Sequence, residues 1–158
     1  MNRLNIFLEH IFEGAQQRNI SMERMLREAR EMGYSGLECD LWRLSDRAAV
    51  KRVFDDCGMR TASVYNMYDL LHDAPQTSRE KMLRHLETAA YFGADKVLAI
   101  PGFFTPEDDR KAGYAKFAEQ LSVMCGLAEK YGITVTLEDF DDENSPCCDT
   151  AGLARLME

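Results

Sequence analysis

Four times along this chain a helix-forming run reaches a glycine and gives way, two or three residues later, to a strand-forming run: REAREMGYSGLECD, FDDCGMRTASVY, AAYFGADKVLAIPG and AEKYGITVTLED. Glycine suits such a helix end because it takes the left-handed backbone conformation without steric cost. Strands that alternate with helices of ten or more residues call for parallel pairing through right-handed crossovers, hence an α/β fold. Helix starts are marked as well. Thr77 with Glu80 reads as a capping box, Thr105-Pro106-Glu107-Asp108 sets a cap, a first-turn proline and acids in order, and Ser21 and Ser45 precede two other helices. The pattern predicts strands near 3–8, 35–39, 60–66, 95–100 and 133–138, with helices near 21–32, 46–57, 78–92, 107–131 and one from about 149. Met22, Met25 and Met32 follow helical spacing and are expected in a buried stripe.

Two architectures accommodate five strand–helix units. A doubly wound open sheet, flavodoxin-like at this length, buries both faces and asks for continuously apolar strands. A closed barrel meets helices on its outer face alone, so its strands can alternate. Here Ile133, Val135 and Leu137 alternate with Thr134, Thr136 and Glu138, and Leu37 and Cys39 stand opposite Glu38. The barrel is therefore the expectation, as a single partial domain over residues 1–158 that carries the first five units of a (β/α)8 barrel. A full barrel takes about 250 residues. A five-strand arc leaves two edges open, so continuation in a longer protein and association with another copy both stand as readings.

Composition narrows the partners. A formal net charge of −8 and a pI near 4.9 argue against nucleic acid, whose phosphates reward clustered Lys and Arg. No apolar run approaches the length of a membrane span, and the charged start MNRLNIFLEH does not read as a signal peptide, so a cytoplasmic location without membrane contact is expected. Five cysteines with no CxxC pair point to neither a disulfide framework nor a zinc site, and Cys147 and Cys148 read as reduced thiols in a loop. The common nucleotide, serine-hydrolase and zinc-peptidase signatures are absent.

In barrels and open α/β sheets alike, chemistry sits where the strands end. Glu138 closes the fifth strand on its polar side, where a carboxylate can bind a hard divalent cation or move a proton; the competing reading is a cap or an ion pair. Asp139, Asp141, Asp142 and Glu143 read as a solvated loop. Glu38 closes the second strand, as a site residue or as part of an ion pair in the barrel floor. His10 lies past the first strand, Tyr65 and Asn66 end the third with groups able to orient sugar hydroxyls, and Trp42 follows the second. Packing is the alternative for each. Phe103 and Phe104 read as packing, and His72 and His85 as structural or exposed.

The phrases EMGYSGLECD and DKVLAIPG, and above all AEKYGITVTLEDF followed by SP and a new helix, resemble the xylose isomerase-like sugar phosphate isomerase/epimerase superfamily of TIM barrels, related in fold to endonuclease IV. The resemblance runs over essentially the whole chain and covers the first five of eight units. It implies a divalent cation, Mn2+, Mg2+ or Co2+, held by the glutamate that ends strand five, here Glu138, together with Asp, His and Glu from later strands. It also implies that Glu138 moves a proton beside a substrate carbonyl, with a sugar or sugar phosphate as the small-molecule partner. The later ligands have no counterpart before Glu158, so this chain alone is expected to be inactive. The alternatives are a non-catalytic half-barrel that forms a homodimer or binds a ligand, and, further off, an apurinic endonuclease-like nuclease or a flavodoxin-like protein.

Overall fold

A computed structural model describes residues 4–157. The strands are β1 (Leu4–Phe7), β2 (Tyr34–Asp40), β3 (Arg60–Met67), β4 (Lys96–Ile100) and β5 (Thr134–Thr136). The helices are α1 (Leu8–Gln17), α2 (Met22–Glu31), α3 (Arg47–Asp56), α4 (Pro75–Tyr91), α5 (Arg110–Ala128) and α6 (Thr150–Met157), with one-turn 3-10 segments at Leu41–Leu44 and Glu129–Tyr131. All strand pairs are parallel, and the spatial order is β1-β2-β3-β4-β5. That order decides between the two architectures. A doubly wound sheet reverses direction at a switch point, as in 2-1-3-4-5, whereas steps all taken the same way put every crossover helix on one side.

The result is a barrel arc with a covered convex face and an open concave one. Leu37, Cys39, Val64, Val97 and Ala99 are essentially inaccessible and point into the helices. Their neighbours Glu38, Ser63 and Leu98 retain partial exposure on the other side. Leu26, Phe54, Met82, Leu86, Phe117 and Met124 complete the core from the helices. At the four helix ends of the repeated phrase, Gly33, Gly58, Gly93 and Gly132 have φ of 101°, 67°, 70° and 64°. An L side chain is disfavoured at these angles, which explains why this residue recurs at the same place.

Several boundaries depart from expectation. α1 was not anticipated: β1 passes straight into it, with Phe7 as both the last strand residue and the N-cap, and no side chain caps it. Its buried Leu8, Ile11 and Ala15 carry the helical period. α4 begins at Pro75 with Ala74 as N-cap, so Thr77 and Glu80 lie inside the helix and form no capping box. Proline at the first position outweighs the box because its fixed φ is already helical and its missing N–H is not needed there. Asp46, not Ser45, caps α3 by accepting from Ala49 N. Asp108 reaches back to Thr105 N and Oγ1 at 2.6 and 2.9 Å, but that turn stops, and Asp109 caps α5 instead. Ser21 caps α2 as expected. β5 ends at Thr136, where its ladder with Leu98 ends. Met22 and Met25 pack on the core, whereas Met32 is 62% exposed beyond the end of α2.

Candidate functional site

The register of the arc sorts the concave side chains into levels. Asn5, Gly36 and Arg60 align across the first three strands near their starts. Phe7, Glu38 and Ser63 form the next level, and Asp40, Tyr65, Leu98 and Thr136 the one above. Glu138 lies one further inward step beyond Thr136, on the coil leaving β5. A cavity of about 510 Å3 opens on this face and is lined by Asn5, Glu38, Arg60, Ser63, Lys96, Leu98, Thr136 and Glu138, among others.

At the floor, Arg60 Nη2 donates to Asn5 Oδ1 at 3.1 Å, and Asn5 Nδ2 donates to Glu38 Oε1 at 3.5 Å. Gly36 makes room for this: a Cβ there would collide with Asn5 Oδ1. Glu38 thus faces the cavity from within a floor network. Above it, the Tyr65 hydroxyl donates to the Glu9 carboxylate, and Phe7 packs edge-on against the Tyr65 ring at 5.9 Å. Burial pushes the Tyr65 phenol above its ordinary range, and the Glu9 hydrogen bond and charge push it the same way.

The other expected residues are dispersed. His10 stands exposed in the first turn of α1, edge-on to Phe7 at 5.6 Å. Trp42 is 61% exposed on the segment after β2, with the Arg43 guanidinium 4.4 Å over its ring, and is not among the residues lining the cavity. Asn66 pairs in register with the buried Ala99, on the helix side of the sheet. Tyr65 and Asn66 therefore do not act on one face, as strand alternation requires. Glu38, Tyr65 and Glu138 share the concave side. No sequence signal singles out Glu9: it sits two residues past Phe7 in the first turn of α1, a relation visible only once the straight passage from strand into helix is known.

Two histidines brace the loops and core around this face. His85 is fully buried; its Nε2 faces the Val64 carbonyl at 3.0 Å and its Nδ1 the Tyr68 hydroxyl at 2.7 Å. A carbonyl only accepts, so Nε2 carries the proton and Nδ1 accepts from Tyr68: the ring is neutral. Burial lowers its pKa to about 4. His72 does the opposite. Its Nδ1 meets Asp69 at 2.7 Å and its Nε2 meets Asp108 at 3.1 Å, tying the loop after β3 to the loop after β4. Hydrogen bonds that its ring donates to the Asp108 and Asp69 carboxylates raise its pKa.

The acidic loop behaves as a solvated turn. Asp139, Asp141 and Glu143 are exposed and Asp142 accepts from Asn144 N at 2.8 Å. Phe103 packs against Phe140, and Phe104 is buried against Tyr114 and Phe117. All five cysteines are free thiols, with Cys147 buried and Cys148 half-buried. Among the described residues no helix is long and apolar enough to cross a membrane. Nor, among them, does any group of three His, Cys, Asp or Glu stand where it could hold a metal ion. Glu138 is a suitable hard oxygen ligand, but one carboxylate does not make a divalent-cation site, which takes several ligands. The implied cation is therefore not accommodated by these residues alone.

None of the curated proteins compared matches this sequence. Solved structures do match in fold. A sugar phosphate isomerase/epimerase from Parabacteroides distasonis aligns with a TM-score of 0.69 at 15% identity, covering 85% of this chain and 50% of its own. An AP endonuclease, family 2, from Brucella melitensis aligns at 0.78 and 18%, covering 99% and 65% respectively. D-allulose 3-epimerase from Methylomonas sp., in complex with D-allulose, aligns at 0.67 and 16%, covering 86% and 53%. The chain thus spans between half and two thirds of the length of these neighbours. Residues 26–158 match the family described as xylose isomerase-like TIM barrel. With strand order, one-sided helix layer and sequence match in agreement, the chain belongs to the xylose isomerase-like TIM barrel family.

Proposed function

We propose that these residues supply the first five strand–helix units of a sugar or sugar phosphate isomerase/epimerase that moves a proton next to a carbonyl. The observation that carries this reading is the place of Glu138. It lines the concave cavity from the β5 end, with Thr136 beneath it and Glu38 across the arc. A carboxylate so placed can take the proton from the carbon beside a carbonyl and return it. Glu38 and Tyr65 offer oxygens to substrate hydroxyls from the β2 and β3 sides. Neighbouring folds that act on sugars support the substrate class. The divalent cation, when bound, would polarise the carbonyl. Its remaining ligands are no part of the described residues, so the chain by itself is proposed to be catalytically silent.

The test is proton exchange at the carbon beside the carbonyl of a ketohexose, followed by NMR in D2O with Mn2+, Mg2+ or Co2+ supplied in turn. An eight-unit enzyme containing these residues is expected to exchange that proton, and its Glu138→Gln variant to lose at least about 100-fold, the scale of general-base removal. Undiminished exchange in that variant removes Glu138 from the chemistry. Metal-dependent exchange by the present chain alone overturns its proposed silence.

A second reading, a half-barrel that self-associates or only binds a ligand, draws on the single partner that β1 and β5 each have at the edges of the sheet. A tight dimer by sedimentation, with no exchange in any longer form, would favour it. A nuclease ranks lower despite the shared fold, because the net charge of −8 repels phosphate backbones.

A further inference from the structure

The Tyr65 hydroxyl has one proton and two lone pairs, and its proton is already spoken for. Three features hold it there. β1 runs into α1 without a loop, so Glu9 stands in the first helical turn directly above the β1 end. β2 lies between β1 and β3, so the Tyr65 side chain must lean across two strand spacings, about 10 Å, to reach Glu9. Phe7 then supports the ring by an edge contact at 78°. A tyrosine braced at both ring and hydroxyl has little freedom to turn its O–H elsewhere. The Tyr65 backbone is in register with Leu98 and Thr136, both of which line the cavity.

We infer that Glu9 is a positioning residue that sets the polarity of Tyr65, so that this side of the mouth presents an oxygen that only accepts and selects a ligand hydroxyl over an ether, fluorine or carbonyl at the same place. The inference rests on reading the mouth as a sugar site and adds a specificity rule to it. With the proton given to Glu9, the Tyr65 oxygen has lone pairs alone to offer, and an acceptor meeting an acceptor leaves both unpaired. Leaving a polar partner unpaired in a sheltered site costs more than a hydrogen bond contributes, which is how such sites discriminate. Without Glu9 the phenol proton is released, and Tyr65 can donate as readily as accept.

The experiment uses the whole chain labelled with 13Cζ-tyrosine, with Tyr65→Phe assigning the resonance. In an NMR pH titration Tyr65 is expected to ionise above ordinary tyrosines, and Glu9→Ala to bring its midpoint down; an unmoved midpoint overturns the contact. D-fructose and its monodeoxyfluoro analogues are then titrated against each protein. The intact chain should prefer the hydroxyl over fluorine at one position by about 3–10-fold, the worth of one neutral hydrogen bond. Glu9→Ala should bring that ratio to within about twofold, by the same reckoning, while keeping the melting temperature. A merely structural brace would weaken all the sugars equally and leave the ratio alone, and that result overturns the inference while the sugar-site reading stands. No binding of any sugar to the intact chain overturns the inference, and no binding by an eight-unit enzyme containing these residues overturns the sugar-site reading as well.

Discussion

Strands β3 and β5 carry the two halves of the candidate site and are built differently. β3 has eight residues and is paired on both sides. Its side chains are committed: Arg60 to Asn5, Tyr65 to Glu9, and, just beyond the strand, Tyr68 to His85, which also takes the Val64 carbonyl. β5 has three residues, lies at the sheet edge and ends before Glu138, which is exposed. The difference teaches that the proposed binding wall and the proposed chemical group are under separate control. The wall is held by the fold's own core. Glu138 takes no part in those contacts and is exposed, so exchanging it is expected to leave the structure settled.

The largest expected effect breaks this contrast if it fails. His85→Ala removes a fully buried ring and orphans the Tyr68 hydroxyl and Val64 carbonyl, and should cost about 2–5 kcal/mol in urea unfolding. Glu138→Gln should stay within about 0.5 kcal/mol of the parent in the same assay, as surface changes do. Similar costs for the two would erase the distinction between scaffold and site. Between them lies Gly132→Ala at the entry to β5. A Cβ there meets nothing within 4 Å, so only the backbone conformation at φ 64° is penalised, at about 1 kcal/mol.

The smallest effect is a pH signature that sharpens the comparison between the buried and the exposed histidine. His85 binds its proton less readily folded, at about 4, than unfolded, at about 6.5. Between those values the unfolded chain holds more protons, so stability is complete above the unfolded value and falls as the pH drops toward 4. His72 runs the other way. Its folded pKa is raised, so the tie to Asp69 and Asp108 is present below the ordinary histidine pKa and is lost as pH rises through the folded value. NMR titration should show His72 protonating before His85 on acidification, with Asp108→Asn moving His72 back toward its ordinary value.

Much of this was legible along the chain. The helix–glycine–strand phrase located four of the five strands, β2 to β5, and alternation through Glu38 and Glu138 put both carboxylates on the face that became concave. The misses share a cause. α1 lacks a capping side chain and its start coincides with the end of a strand, so no local punctuation marks it. The Thr77 box is locally sound but loses to Pro75 two residues earlier. Asn66 ends a strand and Trp42 follows one, as site residues do; strand parity turns the first toward the helices, and the second lies exposed on the 3-10 turn at Leu41–Leu44.

Periodicity and turn chemistry are local, because the 2.0 and 3.6 repeats and the left-handed glycine depend on neighbours in sequence. From them the chain by itself determined its alternating elements, its parallel sheet and which residues of each strand would avoid the helices. Contacts between residues 33 to 56 positions apart depend instead on strand order and register, which place Glu38 beside Asn5 and bring Tyr65 across β2 to Glu9. Only the tertiary structure could decide those, since a shift of one residue in pairing would have turned the same side chains to the opposite face.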